Sequence, residues 1–364
     1  MNNRNLIILG IVSVLLIIWA VCQSQFSNKP RVVRKADTYL IQGLDPDDIN
    51  SIIIGKNENS VTLERNENGF GVKEKDGYPA ISKQINALIT DCIDIRTSEL
   101  YTDNPDNFKD LGVTEESAQN MVKLFKSSGD LLTGIIIGKD KEQGNGTFVK
   151  LKSNNNVYVT PSVPHINSTA DNYLNQDLFS IISNDISFVT IRNTEETYTL
   201  KRDEEDKIAV SGDIPGEKEL KEDEVDSVFT ALSNLSFKDV KKKESFSELS
   251  FDKEYICMLK DSTKYTINIA EKEETTYITC NGEFTDKSPV IKDKGTESEE
   301  ELKKKEAKLI ANDNAERFKA RHKGWVYEIQ KHNAGNLTKE LAALLKEKEK
   351  VNDDASKEEP EQDG

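Results

Sequence analysis

Histidine and cysteine are scarce in this 364-residue chain: His165, His322 and His332, with Cys22, Cys92, Cys257 and Cys280, are the whole supply. None of them makes a CxxC, HxxxH or HExxH spacing, which excludes the familiar zinc and disulfide scaffolds. Positive charge is also short. With 49 Lys and Arg against 65 Asp and Glu, the net charge of −16 repels phosphate backbones, so the chain does not read as a nucleic-acid binder. No Ser or Cys is grouped with a histidine base and an orienting acid, so no nucleophile constellation stands out. The length suits two domains, each able to bury its own core. Composition alone names no reaction and no ligand.

There is one long apolar run, residues 6–22, LIILGIVSVLLIIWAVC. At about 1.5 Å per residue its 17 residues reach roughly 25 Å, the short end of a bilayer span. No small-residue cleavage site follows it, and Trp19 stands where an interfacial anchor belongs, which favours an uncleaved single-pass anchor over a secretory signal. A lipidated Cys22 is the third reading, with Trp19, Ala20 and Val21 a poor context for it. Lys29, Arg31, Arg34 and Lys35 in the basic linker 23–43 would by themselves keep the body inside. The very short amino-terminal tail instead resembles a signal anchor, and we expect the bulk of the chain on the extracytoplasmic side of the inner membrane.

Self-comparison is the most informative operation on the rest. Residues 49–65, INSIIIGKNENSVTLER, align without gaps at an offset of 137 with 186–202, ISFVTIRNTEETYTLKR. Identical pairs include Ile54/Ile191, Leu63/Leu200 and Arg65/Arg202. Further matches follow in the same order. Phe70-Gly71-Val72 answers to Ile208-Ala209-Val210 as a third strand. The helical set Ile81, Ile85, Leu88, Ile89, Cys92 answers to Val225, Val228, Phe229, Leu232. The turn 108–113 answers to 246–251, and the hairpin-like strands 122–125 with 131–137 to 256–259 with 265–269. Each copy is expected to end on a strand and a second helix, the helix carrying Ile166, Ala170, Tyr173, Leu174 in one copy and Leu337, Leu341, Leu344, Leu345 in the other.

The predicted fold class is therefore α+β: two tandem antiparallel-sheet units with two packed helices each, 44–180 and 184–346, after one transmembrane helix at 1–22. A Glu- and Lys-rich insert at about 286–321 reads as a solvated helix, and the acidic tail 347–364 as too polar to fold by burial.

The anchor, the paired-strand opening INSIIIGKNENSVTLER, the third strand, the Leu111-Gly112-Val113 turn and the VYVTPS segment resemble the bacterial domain-of-unknown-function 4340 family. Phe70 takes the place of the family's usual Trp, and no Pro follows Val113. The resemblance implies an envelope protein with an accessory role beside an ABC-type export permease, its ATPase or gliding-motility-like proteins. It supplies no catalytic residues.

Remaining motifs have ordinary explanations. Asp45, Asp47 and Asp48 lack the ligand spacing of a calcium loop and read as a turn into the first strand. Gly144-Asn145-Gly146-Thr147 lacks the Lys-Ser/Thr pair of a phosphate loop and reads as a hairpin turn. His165 and His332 occupy corresponding strand-to-helix junctions, where a polar loop role is expected ahead of a repeated site. Cys92 is expected as a buried thiol. Cys257 and Cys280 lie on two strands that could be neighbours, with free thiols the default. We assign no catalytic, cofactor or metal-binding residue and expect no enzyme. The expected function is a membrane-anchored scaffold or accessory subunit of a transport or envelope complex; the alternative is a module binding envelope glycan or a small solute.

Overall fold

The computed structural model describes residues 38–67, 69–98, 100–212, 214, 217–289 and 298–348. Among them no helix is long and apolar enough to cross a membrane, and the run 6–22 and the tail beyond 348 lie outside the described residues. The fold is mixed α+β, dominated by two nine-stranded sheets whose neighbouring strands pair antiparallel.

The first sheet holds β1 (Ser51–Lys56), β2 (Asn59–Asn66), β3 (Gly69–Val72), β4 (Tyr78–Pro79), β5 (Leu100–Thr102), β6 (Asn120–Phe125), β7 (Leu131–Asp140), β8 (Thr147–Leu151) and β9 (Val157–Thr160), in spatial order β4-β3-β2-β1-β6-β7-β8-β9-β5. The second holds β10 (Asp177–Phe179), β11 (Ile186–Arg192), β12 (Thr197–Arg202), β13 (Ile208–Val210), β14 (Leu235–Lys242), β15 (Lys253–Leu259), β16 (Thr263–Lys272), β17 (Thr275–Phe284) and β18 (Trp325–Ile329). Its order is β10-β14-β18-β17-β16-β15-β11-β12-β13. The described residues divide into two compact units, those up to 65 with 82–169 and those of 66–81 with 170 onward.

In the first unit, strand alternation places Ile52 opposite Leu63 and Leu124, and Ile54 opposite Val61 and Val122, all fully buried or nearly so. Helix α1 (Ser82–Ile93) turns Ile85, Leu88, Ile89 and Cys92 inward at helical spacing. The opposite face of the sheet buries Met121, Ile136, Phe148 and Val157 beneath Phe108 and Val113. That cover depends on the one-turn helix α2 (Phe108–Leu111), which stops because Gly112 takes φ 70° and sends its N–H back to Lys109 and Phe108. The cover lies so close that a Cβ on Gly138 of β7 would stand 2.5 Å from the Leu111 carbonyl oxygen and 2.7 Å from Val113 Cγ1. Gly138→Ala is expected to cost roughly 1–3 kcal/mol, read as a lower urea midpoint with an unchanged slope. A wild-type midpoint would refute the close approach.

In the second unit, Val189 faces Leu200 and Cys257, and Ile191 faces Tyr198 and Tyr255. Helices close this face. In α3 (Glu222–Phe229), Val225, Val228 and Phe229 are buried, and the Tyr255 hydroxyl donates to the Val228 carbonyl at 2.8 Å. Helix α4 (Glu299–His322) opens on a capping box: Glu301 N–H donates to Ser298 Oγ and Ser298 N–H to Glu301 Oε2.

This helix corrects the expectation of a purely solvated insert. Its Ala311, Ala315 and His322 are buried, and Phe318 meets Tyr265 edge-on with ring centroids 4.8 Å apart. Small residues made the buried stripe hard to see in a chain segment so rich in Glu and Lys. Gly282 of β17 permits the approach, since a Cβ there would lie 3.0 Å from the Phe318 ring.

The expected closing helices fare differently. Of the helix expected to close the first copy, residues 166–174 form only a 3-10 turn, Ala170–Tyr173, because Pro161 and Pro164 hold the approach extended. In the second, α5 (Lys331–Thr338) forms but ends early. Tyr198 Oη donates to the Lys339 carbonyl at 2.6 Å, and Leu341 N–H donates to Glu196 at 2.7 Å, drawing the chain out of the helix. The apolar set beyond it falls on a 3-10 turn, Leu341–Leu344, and a strand, Leu345–Glu347, paired with Lys218–Leu220.

Candidate functional site

The residues singled out by sequence fall in separate places. Asp45 caps a 3-10 turn by accepting from Asp47 N–H at 3.0 Å, and among the described residues no His, Cys, Asp and Glu group has metal-site geometry. The Gly144–Gly146 stretch is the β7–β8 turn, with both glycines at positive φ. His165 is exposed with Asn167 beside it at 3.4 Å, and His332 is exposed in the first turn of α5. Cys257 lies opposite Tyr265, and Cys280 opposite Ile267, so β16 runs between the strands that carry them. They are not cross-strand neighbours. Two strand spacings, about 9.6 Å, exceed disulfide reach, and both are free buried thiols like Cys92. Burial pushes the Cys92 and Cys257 thiols up to about 12, which leaves them inert as nucleophiles at neutral pH.

One buried polar cluster was not legible as a site. It forms on the second unit where the end of α4, strand β18 and the segment 66–81 meet. His322, 2% exposed, shares a hydrogen bond between its Nδ1 and the Tyr327 hydroxyl at 2.7 Å, while its Nε2 has no partner. Burial, with the Arg321 charge nearby, lowers His322 to about 3. Burial likewise pushes the Tyr327 and Tyr78 phenols up. Tyr78 sits edge-on to Phe237, Trp325 and Tyr327 at 5.6, 5.0 and 6.1 Å, and its hydroxyl faces Tyr327 and Arg321 short of a full hydrogen bond. Beside it, Lys75 bridges Asp171 at 2.9 Å and Asp239 at 2.8 Å, and Asp76 accepts from Lys242 N–H at 3.0 Å. At neutral pH the phenols and the imidazole of this cluster are neutral and closed from solvent. The cluster locks a core. The sequence signal for it was the spacing of His322 and Tyr327 around a turn, which carries no meaning until Tyr78 is brought in from far along the chain.

The first unit has an open cleft of about 230 Å³ at the end of α1, lined among others by Asp91, Asp94, Arg96, Thr160, Pro161 and Pro164. The Thr160 hydroxyl is turned away into a hydrogen bond with the Ser162 carbonyl at 2.7 Å.

A family model described as a domain of unknown function (DUF4340) matches residues 71–254, from within β3 to the start of β15. The chain belongs to this family. The DUF4340 match takes in α1, the α2 cover and the VYVTPS strand of the first unit, and then the opening strands of the second sheet. No curated protein and no solved structure is similar to the chain.

Proposed function

We propose that this DUF4340 protein is a non-catalytic scaffold or accessory subunit of an envelope transport complex, held in the inner membrane by residues 6–22 with its body outside the cytoplasm. An ABC-type export permease or a gliding-like accessory protein is the partner class that the family resemblance implies. We also infer that the body is an internal duplication. The run β3-β2-β1-β6-β7-β8-β9-β5 has the same chain order as β13-β12-β11-β15-β16-β17-β18-β14.

The observation that carries the reading is what the matched residues do. Ile54 and Ile191, and Leu63 and Leu200, are core residues with no exposure. Arg65 Nε donates to the Ile49 carbonyl at 2.7 Å, beside the turn Pro46–Asp48 that precedes β1. Arg202 donates to Ser183 Oγ at 2.8 Å, in the turn Ser183–Asp185 that precedes β11. The isoleucine, leucine and arginine positions shared by the copies therefore serve the frame, and the one shared polar pair exposed in both, Glu58 and Glu195, sits in the turn of each opening hairpin. A frame presenting surfaces is what an accessory subunit needs.

The test is crosslinking in intact cells followed by solubilisation in mild detergent and mass spectrometry of the partners and of the chain's own amino terminus. Recovery of permease or envelope subunits with residues 1–22 intact is expected. A processed chain recovered alone would refute the reading.

A further inference from the structure

The described part of the chain begins at Thr38–Tyr39, which pairs with Arg96–Thr97, while Leu40 N–H donates to the Ile95 carbonyl at 2.8 Å and Leu40 and Ile41 are buried. The first unit is thus gripped at the point where the polypeptide comes from the apolar run. Residues 23–37 between them, fully extended, reach no more than roughly 50 Å. Next to this grip lies the free edge of the first sheet. Ser98 N–H donates to Val159, Leu100 pairs with Tyr158, and β5 is the outermost strand.

This margin carries exposed large apolar groups: Tyr39 at 45%, Leu100 at 47% and Tyr101 at 53%. Arg96 lies over the Tyr39 ring, 5.3 Å from its centroid, and donates to its hydroxyl at 3.3 Å. Tyr101 packs its ring at a tilt against Phe148, centroids 4.8 Å apart, and keeps about half of its surface exposed. Tyrosine rings with a wet hydroxyl and an apolar body, mixed with arginine and leucine, suit the headgroup layer of a bilayer. The linker leading to them adds Lys29, Arg31, Arg34 and Lys35, whose charge is attracted to anionic lipid.

We propose that this margin, Tyr39 and Arg96 with Leu100 and Tyr101, rests on the headgroup layer of the bilayer that residues 6–22 enter, so that the first unit is laid against the membrane. The inference builds on the anchored reading above. Short tether, exposed aromatic edge and basic linker all bring the same margin to the same surface.

The test uses the full chain reconstituted in phosphatidylcholine vesicles containing phosphatidylglycerol, with a photo-crosslinking amino acid placed in turn at Trp19, Tyr39, Tyr101 and Leu309. Leu309, 56% exposed on α4, is the control for an exposed apolar side chain that the inference does not include. Lipid adducts at Trp19, Tyr39 and Tyr101 and background at Leu309 are expected, and Leu100→Glu with Tyr101→Glu should abolish the adduct at Tyr39 while sparing Trp19. Both replaced side chains are exposed, and an unchanged urea midpoint establishes that the variant is folded. Adducts at Trp19 alone would overturn this inference and leave the anchor standing. Their absence at Trp19 as well would remove the anchor and the inference together.

Discussion

Replacing Tyr78 with alanine should lower the stability of the second unit by about 3–5 kcal/mol, the range found when a large buried aromatic is truncated. Tyr78 is 1% exposed and fills the space between Phe237, Trp325 and Tyr327, so its loss leaves three rings without their common partner. Tyr78→Phe isolates the ring from the hydroxyl. Because that hydroxyl has no full hydrogen-bond partner, the phenylalanine variant should stay within about 1 kcal/mol of wild type. Urea unfolding followed through Trp325 fluorescence reads both variants. Equal losses in the two would show that the hydroxyl, not the packing, matters; no loss in either would show that segment 66–81 is not part of this core.

Acid should weaken the same core before most carboxylates are protonated. His322 has a folded value of about 3 against about 6.5 when unfolded, so the unfolded chain binds the extra proton anywhere between those values. Stability from this group is therefore complete above about pH 6.5 and is lost as the pH falls toward 3. The slope approaches 1.4 kcal/mol per pH unit within that window, so roughly 2 kcal/mol should go between pH 6.5 and 5. The cause is local: the protonated ring would sit desolvated beside the Arg321 charge, with Tyr327 and Phe318 around it. Carboxylates held low by lysines, such as Glu115 with Lys152 and Lys123, or Asp239 with Lys75, lose their contributions in a lower range. His322→Gln should flatten the stability profile between pH 6.5 and 5 while retaining a partner for the Tyr327 hydroxyl. Parallel profiles for wild type and variant over that interval would refute the assignment.

Much of the framework was readable because its signals are local. The alternation of Ile52, Ile54, Val61 and Leu63, and of their partners 137 residues later, specifies half-buried hairpins whose register places every one of those side chains inward. Helix α1 was equally legible, since Ile85, Leu88, Ile89 and Cys92 are large and recur at helical spacing. The stripe on α4 was not, because alanines bury little area and give little contrast with the charged residues around them. Apolar period also misled at Leu341, Leu344 and Leu345, where Tyr198 and Glu196 from a distant hairpin compete for the backbone groups a longer helix would need.

The amino-acid sequence by itself determined the opening hairpins, the α+β class, the family and the apolar run, since each is written in strand alternation, helical spacing or short motifs. Only the tertiary structure decided that β16 separates Cys257 from Cys280, that residues 66–81 belong to the second unit, and that His322 is buried against Tyr327 and Phe318. The physical reason is the same in each case: which surface a strand or side chain covers is settled by competition among distant segments for burial, and no local pattern records the winner.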